Sequence, residues 1–167
     1  MAGLYVAYNC AFDATTGVTA GTSYGTGAKC AIQLSTPSGT MIRVVEYGVS
    51  FNLSAVAVPS TVTLAQAGAA STMSTTHSTS TIVPIGDNAK TSTLTMGTGA
   101  TGYGNGSITT NTTAKMFDAQ FIAQTNQFVK QWPLGREPVI PGSSILQLRI
   151  NTSTTASALA YIVFEEN

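Results

Sequence analysis

The chain has 167 residues, enough for one domain with a core of ordinary size. Apolar residues reach 43% while charged residues are only 8%, against about 25% in an average soluble domain, and 43 Ser and Thr fill much of the gap. Seven basic and seven acidic residues give zero net charge, which excludes both the charge-rich pattern of disorder and the clustered basic footprint that a nucleic acid requires.

Leu4–Tyr8 alternates and reads as a first strand. With the Thr- and Gly-rich stretch Ala14–Gly27 behind it, residues 1–27 also read as an N-terminal arm that reaches a neighbouring chain. Cys30–Leu34 is a second strand, and Met41–Phe51 is β-branched and aromatic, long enough for a central one. The purest apolar run, Ala55–Val58, stops at Pro59, so no membrane span is expected, and Thr61–Leu64 then alternates. Residues 66–114 are biased towards Ser, Thr and Gly and predict long surface loops around Thr-rich edge strands near 79–83 and 91–95. Phe117, Ala119, Phe121 and Ala123 share one strand face, opposite Asp118, Gln120 and Ile122. Gln127–Trp132 and Leu146–Ile150 follow, and Ala158–Phe164 is the last strand before Glu165–Glu166 returns the chain to water.

Helical periodicity is absent throughout. Eight to ten strands separated by long Ser/Thr/Gly-rich loops predict one all-β domain over 1–167, an antiparallel, jelly-roll-like β-sandwich. Val44, Phe51, Leu64, Phe121, Leu148, Ile162 and Phe164 are its expected core.

Familiar catalytic patterns occur without their context. Gly21-Thr22-Ser23-Tyr24-Gly25 matches a nucleophile elbow, yet no helix follows it, and His77 lies in a hydroxyl-rich loop. Gly97–Gly102 matches a dinucleotide fingerprint, but the stretch up to Ala114 is too rich in Gly, Asn and Thr for the required helix. Glu165 and Glu166 are adjacent and point to opposite faces of a strand. A calcium site at Asp87 and Asn88 has no EF-hand spacing, and Cys10 and Cys30 are two thiols, bonded or free. The expectation is a protein that is not an enzyme and takes no metal or cofactor.

Trp132-Pro133-Leu134-Gly135-Arg136-Glu137-Pro138 holds the lone Trp, two prolines and adjacent opposite charges. It reads as a rigid connection whose Trp plugs the core, or as a contact in which Trp132, Arg136 and Glu137 anchor another subunit. Leu4, Tyr5 and Tyr8 are the matching candidates in the arm. No positive charge precedes Lys29, so export by a signal peptide is not expected.

Three groups of residues resemble small jelly-roll proteins from the structural regions of tailed bacteriophages. They are Cys30–Pro37 with Arg43–Phe51, then Pro133–Pro138, then Ala160–Glu166. The pattern is similar to that of capsid decoration (cement) proteins. The resemblance implies a virion structural subunit, made in the host cytoplasm, that binds the major capsid protein on the outer capsid surface. It further implies a homo-oligomer, with a trimer expected, and no part for nucleic acid or membrane. The alternative is a carbohydrate- or receptor-binding module of a phage fibre, with Tyr24 and Tyr103 in Gly-rich loops, and Trp132, as stacking surfaces.

Overall fold

The computed structural model describes residues 3–12, 15–18, 21–53, 55, 58–86, 90–108 and 113–167. In chain order its strands are β1 (Gly3–Tyr8), β2 (Thr22–Tyr24), β3 (Gly27–Ser35), β4 (Ile42–Phe51), β5 (Ser60–Ala67), β6 (Thr75–Thr76) and β7 (Ile82–Pro84). They continue with β8 (Gly102–Ser107), β9 (Thr113–Ile122), β10 (Gln127–Gln131), β11 (Val139–Ile140), β12 (Ile145–Thr152) and β13 (Ala156–Glu166). Nine of these strands have five residues or more, within the expected eight to ten, and the other four are pairing stubs. No helix interrupts them among the described residues.

The long strands pair as nested hairpin arms: β5 with β9, β4 with β10, β3 with β12 and β1 with β13, all antiparallel. Folding that hairpin over itself lays β10-β4-β13-β1 in one sheet and β3-β12-β5-β9 in the other. This is the winding of a jelly roll. The two sheets enclose one core, to which Val44, Phe51, Leu64, Leu148, Ile162 and Phe164 contribute as expected. β13 shows the cause most plainly, because its burial alternates without a break, Ala156 through Glu166 facing in and Ser157 through Glu165 facing out.

Two bulges explain where simple alternation misleads. In β4 the inward residues are Ile42 and Val44, then Tyr47, Val49 and Phe51, and the phase changes at Val45. The bulge there lets both sets face in, and it leaves the Val45 carbonyl to accept the Trp132 N–H at 3.1 Å. In β9 the register shifts between the partners of Met116 and Asp118, which places Phe117 against the core and turns Phe121 out. Phe121 is 82% exposed, so its expected place in the core is corrected: read without the bulge, it lies in phase with Phe117, and one inserted residue reverses that. Asp118, on the inward face, accepts a hydrogen bond at 2.7 Å from the Tyr47 hydroxyl, tying the margin of one sheet to the other.

Residues 68–108 form a long insertion between β5 and β9, and this segment is less loop-like than its composition suggests. It lays β8, with β6 outside it, along the edge of β3, and β7 along the edge of β1. The expected strand near 79–83 is therefore a real edge strand shifted to Ile82–Pro84. Residues 91–95 are not a strand. Ser92 and Thr93 instead donate to the carboxylate of Glu166, at 2.6 Å from each hydroxyl and 2.8 Å from the Thr93 N–H. Glu166 thus stays buried at the end of β13, where the sequence suggested a return to water.

In this structure the N-terminal strand pairs within its own sandwich. β1 lies between β13 and β7 with Tyr5 and Ala7 in the core, and Asn9 fixes its end by donating to the Tyr24 hydroxyl and to the Ala158 carbonyl. The contrast between two phenylalanines tests this packing. Phe164→Ala, at a fully enclosed position, should cost about 3–5 kcal/mol in urea unfolding. Phe121→Ala should stay within about 0.5 kcal/mol of the parent.

Candidate functional site

The residues of the catalytic patterns do not converge. Ser23 sits exposed on β2, opposite Ser157 of β13. His77 is fully buried in the insertion, with Nδ1 at 3.0 Å from the Thr81 hydroxyl and its ring 4.8 Å from that of Tyr103. Residues 97–102 form turns that pack on the sheet, and the Thr101 hydroxyl accepts the Ser35 N–H at 3.0 Å. Asp87 and Asn88 lie outside the described residues. Cys30 is a buried free thiol and Cys10 a half-buried one, and burial pushes the pKa of each up, which favours the protonated thiol. Among the described residues no three His, Cys, Asp or Glu side chains gather as metal ligands would. A hollow of about 370 Å³ opens beside Tyr5, Lys90 and Glu166, but both oxygens of the Glu166 carboxylate already accept hydrogen bonds from Ser92 and Thr93.

The aromatic candidates for sugar stacking are corrected. Tyr24 is fully buried and its hydroxyl is held by Asn9 at 2.7 Å, while Tyr103, within the insertion, is buried against His77. A Gly-rich neighbourhood suggested exposure, but glycine here permits close packing: a Cβ at Gly106 would strike Met73, and one at Gly102 would strike the Thr75 carbonyl. Tyr5 is likewise a core residue and offers no contact surface.

The other candidates separate by face. Period two sends Leu4, Val6 and Tyr8 to the outer side of the seven-stranded sheet, opposite Glu165, Val163 and Tyr161 of β13. Leu159, Val83 and Val129 carry this face across to β7 on one side and β10 on the other. The ring of Tyr161 lies over Gly48, where a Cβ would collide with it, and its hydroxyl donates to Glu46. Tyr8 stands between Tyr161 and Phe12, with ring centroids 5.9 and 5.0 Å away. Their planes are inclined at 41° and 76°, so they make a rough aromatic ridge and not a flat stacking platform.

The outer side of the other sheet is different. There Gln33 and Gln147 are fully buried beneath the insertion, which covers the β3–β12 part of that face with polar contacts and leaves Phe121 and Ala119 exposed at its β9 end. The side bearing Leu4 and Tyr8 carries no such cover among the described residues and presents an apolar and aromatic face.

Between β10 and β11 the segment 132–138 takes the first role read from its sequence, a rigid connection whose Trp plugs the core. Trp132 is half-buried, its ring 5.7 Å from Tyr47, so it is the plug. Pro133 to Arg136 make a turn closed by the Arg136 N–H donating to the Pro133 carbonyl at 3.0 Å, with Gly135 at φ +82°. The turn holds Leu134 97% exposed at its tip, beside exposed Arg136 and half-buried Glu137. Sequence reasoning missed Leu134. The signal was its place between Pro and Gly, the i+1 position of a turn, where a side chain projects into solvent.

His77 gives this region a measurable pH dependence. Burial lowers its pKa to about 4, below an ordinary histidine's 6.5. The unfolded chain then binds a proton between these values that the folded chain refuses, so stability falls as pH drops from about 6.5 to about 4 and levels off below. The loss attributable to His77 is about 3 kcal/mol. Unfolding of the parent and of His77→Phe across that range should differ by this slope.

Comparison with family models, with curated proteins and with solved structures returns no significant match for this chain.

Proposed function

We propose that this chain is a structural subunit of a virion, a decoration protein that binds the major capsid protein on the outer surface of a capsid as a homo-oligomer. The observation that carries the reading is the asymmetry of the sandwich: the chain's own polar insertion covers the β3–β12 part of one sheet, and the other sheet presents Leu4, Val6, Tyr8, Leu159 and Tyr161 outward. A face of this character on a neutral chain suits attachment to a protein lattice, where affinity comes from many weak contacts made together. The resemblance of Arg43–Phe51, Pro133–Pro138 and Ala160–Glu166 to cement proteins supports the same reading. The fibre-module alternative loses two of its three aromatics, since Tyr24 and Tyr103 are buried, and the third, Trp132, is half-buried against Tyr47.

The test is co-sedimentation with capsids assembled from the major capsid protein of the same genome, followed by electron microscopy. The expected result is saturable binding and added density outside the shell, weakened at least tenfold by Leu4→Glu with Val129→Glu, both at exposed positions. No co-sedimentation by the parent chain, or binding unchanged in the double variant, would contradict it.

A further inference from the structure

A jelly roll has two margins, and the insertion closes one of them by pairing β7 with β1 and β8 with β3. At the other margin β10 and β9 end their sheets. β10 is five residues long and runs into the Pro133 turn, whereas β9 has ten residues, and among the described residues nothing pairs with its outer side. An open strand edge is a template for another strand, and proteins usually blunt it with lysine, proline or an edge charge. β9 is bulged near Phe117, which disrupts its first half, but Asp118–Ile122 pairs with β5 in regular register and has neither lysine nor proline. Its one charge is turned away from the edge, because the Asp118 carboxylate accepts hydrogen bonds from Tyr47 at 2.7 Å and from Gln120 at 2.9 Å. The outward face of this same segment carries Phe121, 82% exposed, next to exposed Ala119.

We infer that β9 pairs antiparallel with β9 of a second copy of this chain, across a two-fold axis through Gln120. Asp118–Ile122 is the regular part of the strand, and Gln120 is its middle. In that register each Phe121 stands directly opposite the other copy's Ala119, so the largest side chain of the segment covers one of the smallest, twice by symmetry. The two six-stranded sheets then form one continuous sheet, and both open edges are satisfied by backbone hydrogen bonds. Zero net charge leaves no long-range repulsion between copies. The contact uses the same surface on both chains and closes at two, unlike the threefold ring that the resemblance suggests. It holds independently of what the outer face of the other sheet binds.

Light scattering and sedimentation at high micromolar concentration should give twice the 17.2 kDa chain mass. Phe121→Lys should give the single-chain mass with an unchanged melting curve of the isolated fold, since the side chain is exposed. In a Cys10→Ser background, Gln120→Cys should be joined to a second chain by a short bis-maleimide, whereas Gln131→Cys on β10 should not. A single-chain mass for the parent, a closed trimer, a dimer indifferent to Phe121→Lys, or failure to link through position 120 would each overturn the inference.

Discussion

Gln33 and Gln147 lie opposite one another on β3 and β12 with no exposed surface, on the outer side of their sheet, where a primary amide without partners costs about 1–3 kcal/mol. The insertion supplies the partners. Gln33 Oε1 accepts the Ser71 N–H at 2.8 Å and the Gln147 Nε2 at 2.6 Å, and Gln33 Nε2 donates to the carbonyls of Gly99 and Ala100, both at 3.1 Å. Gln147 also donates to the Ser71 hydroxyl, and Arg149 Nε donates to Gln147 Oε1 at 2.8 Å. This network fixes the insertion at Ser71 and at Gly99–Ala100. β7, between those points, closes the edge of β1, and β8, which follows them, closes the edge of β3. What remains open follows by subtraction: the β9–β10 margin and the outer face bearing Leu4 and Tyr8.

The strand content was legible because it rests on period two. Thr61–Leu64, Leu146–Ile150 and Ala158–Phe164 all lie in strands whose alternate residues face the core, and Met41–Phe51 holds β4, which alternates on either side of its bulge at Val45. The errors lie where one residue breaks the phase. Phe121 looked buried because Phe117, Ala119 and Phe121 are in phase, and nothing in their identity announces the bulge that separates Phe117 from the others. The insertion was illegible for a different reason. Ser, Thr and Gly carry little hydrophobic signal, so a segment held by amides, hydroxyls and a buried carboxylate resembles a solvated loop. Its buried Ser92, Thr101 and His77 are positioned by distant partners, Glu166, Ser35 and Tyr103, that no local window contains.

The candidate surface was legible in halves. Leu4 and Tyr8 lie on the outer face while Tyr5 lies in the core, and alternation separates these two sets but does not say which side is inside. That is decided by the pairing of β1 between β13 and β7, a contact between segments more than 70 residues apart. In the 132–138 segment the large aromatic drew attention, yet Trp132 packs against Tyr47 and the turn exposes Leu134 instead. Large side chains are where burial is most favourable, so the exposed position falls to the residue that the turn leaves no room to bury.

Native-state hydrogen exchange reads the central dependence most directly, by comparing the insertion with the strand it covers. If the glutamine network makes residues 71–103 part of the sandwich, the amides of Ser71, His77 and Thr101, which donate to Gln33, Thr101 and Thr98, should be protected within about 2 kcal/mol of the β3 amides. Exchange of those three amides at free-loop rates, with β3 and β12 still protected, would show that the sandwich stands without its insertion and would contradict this account.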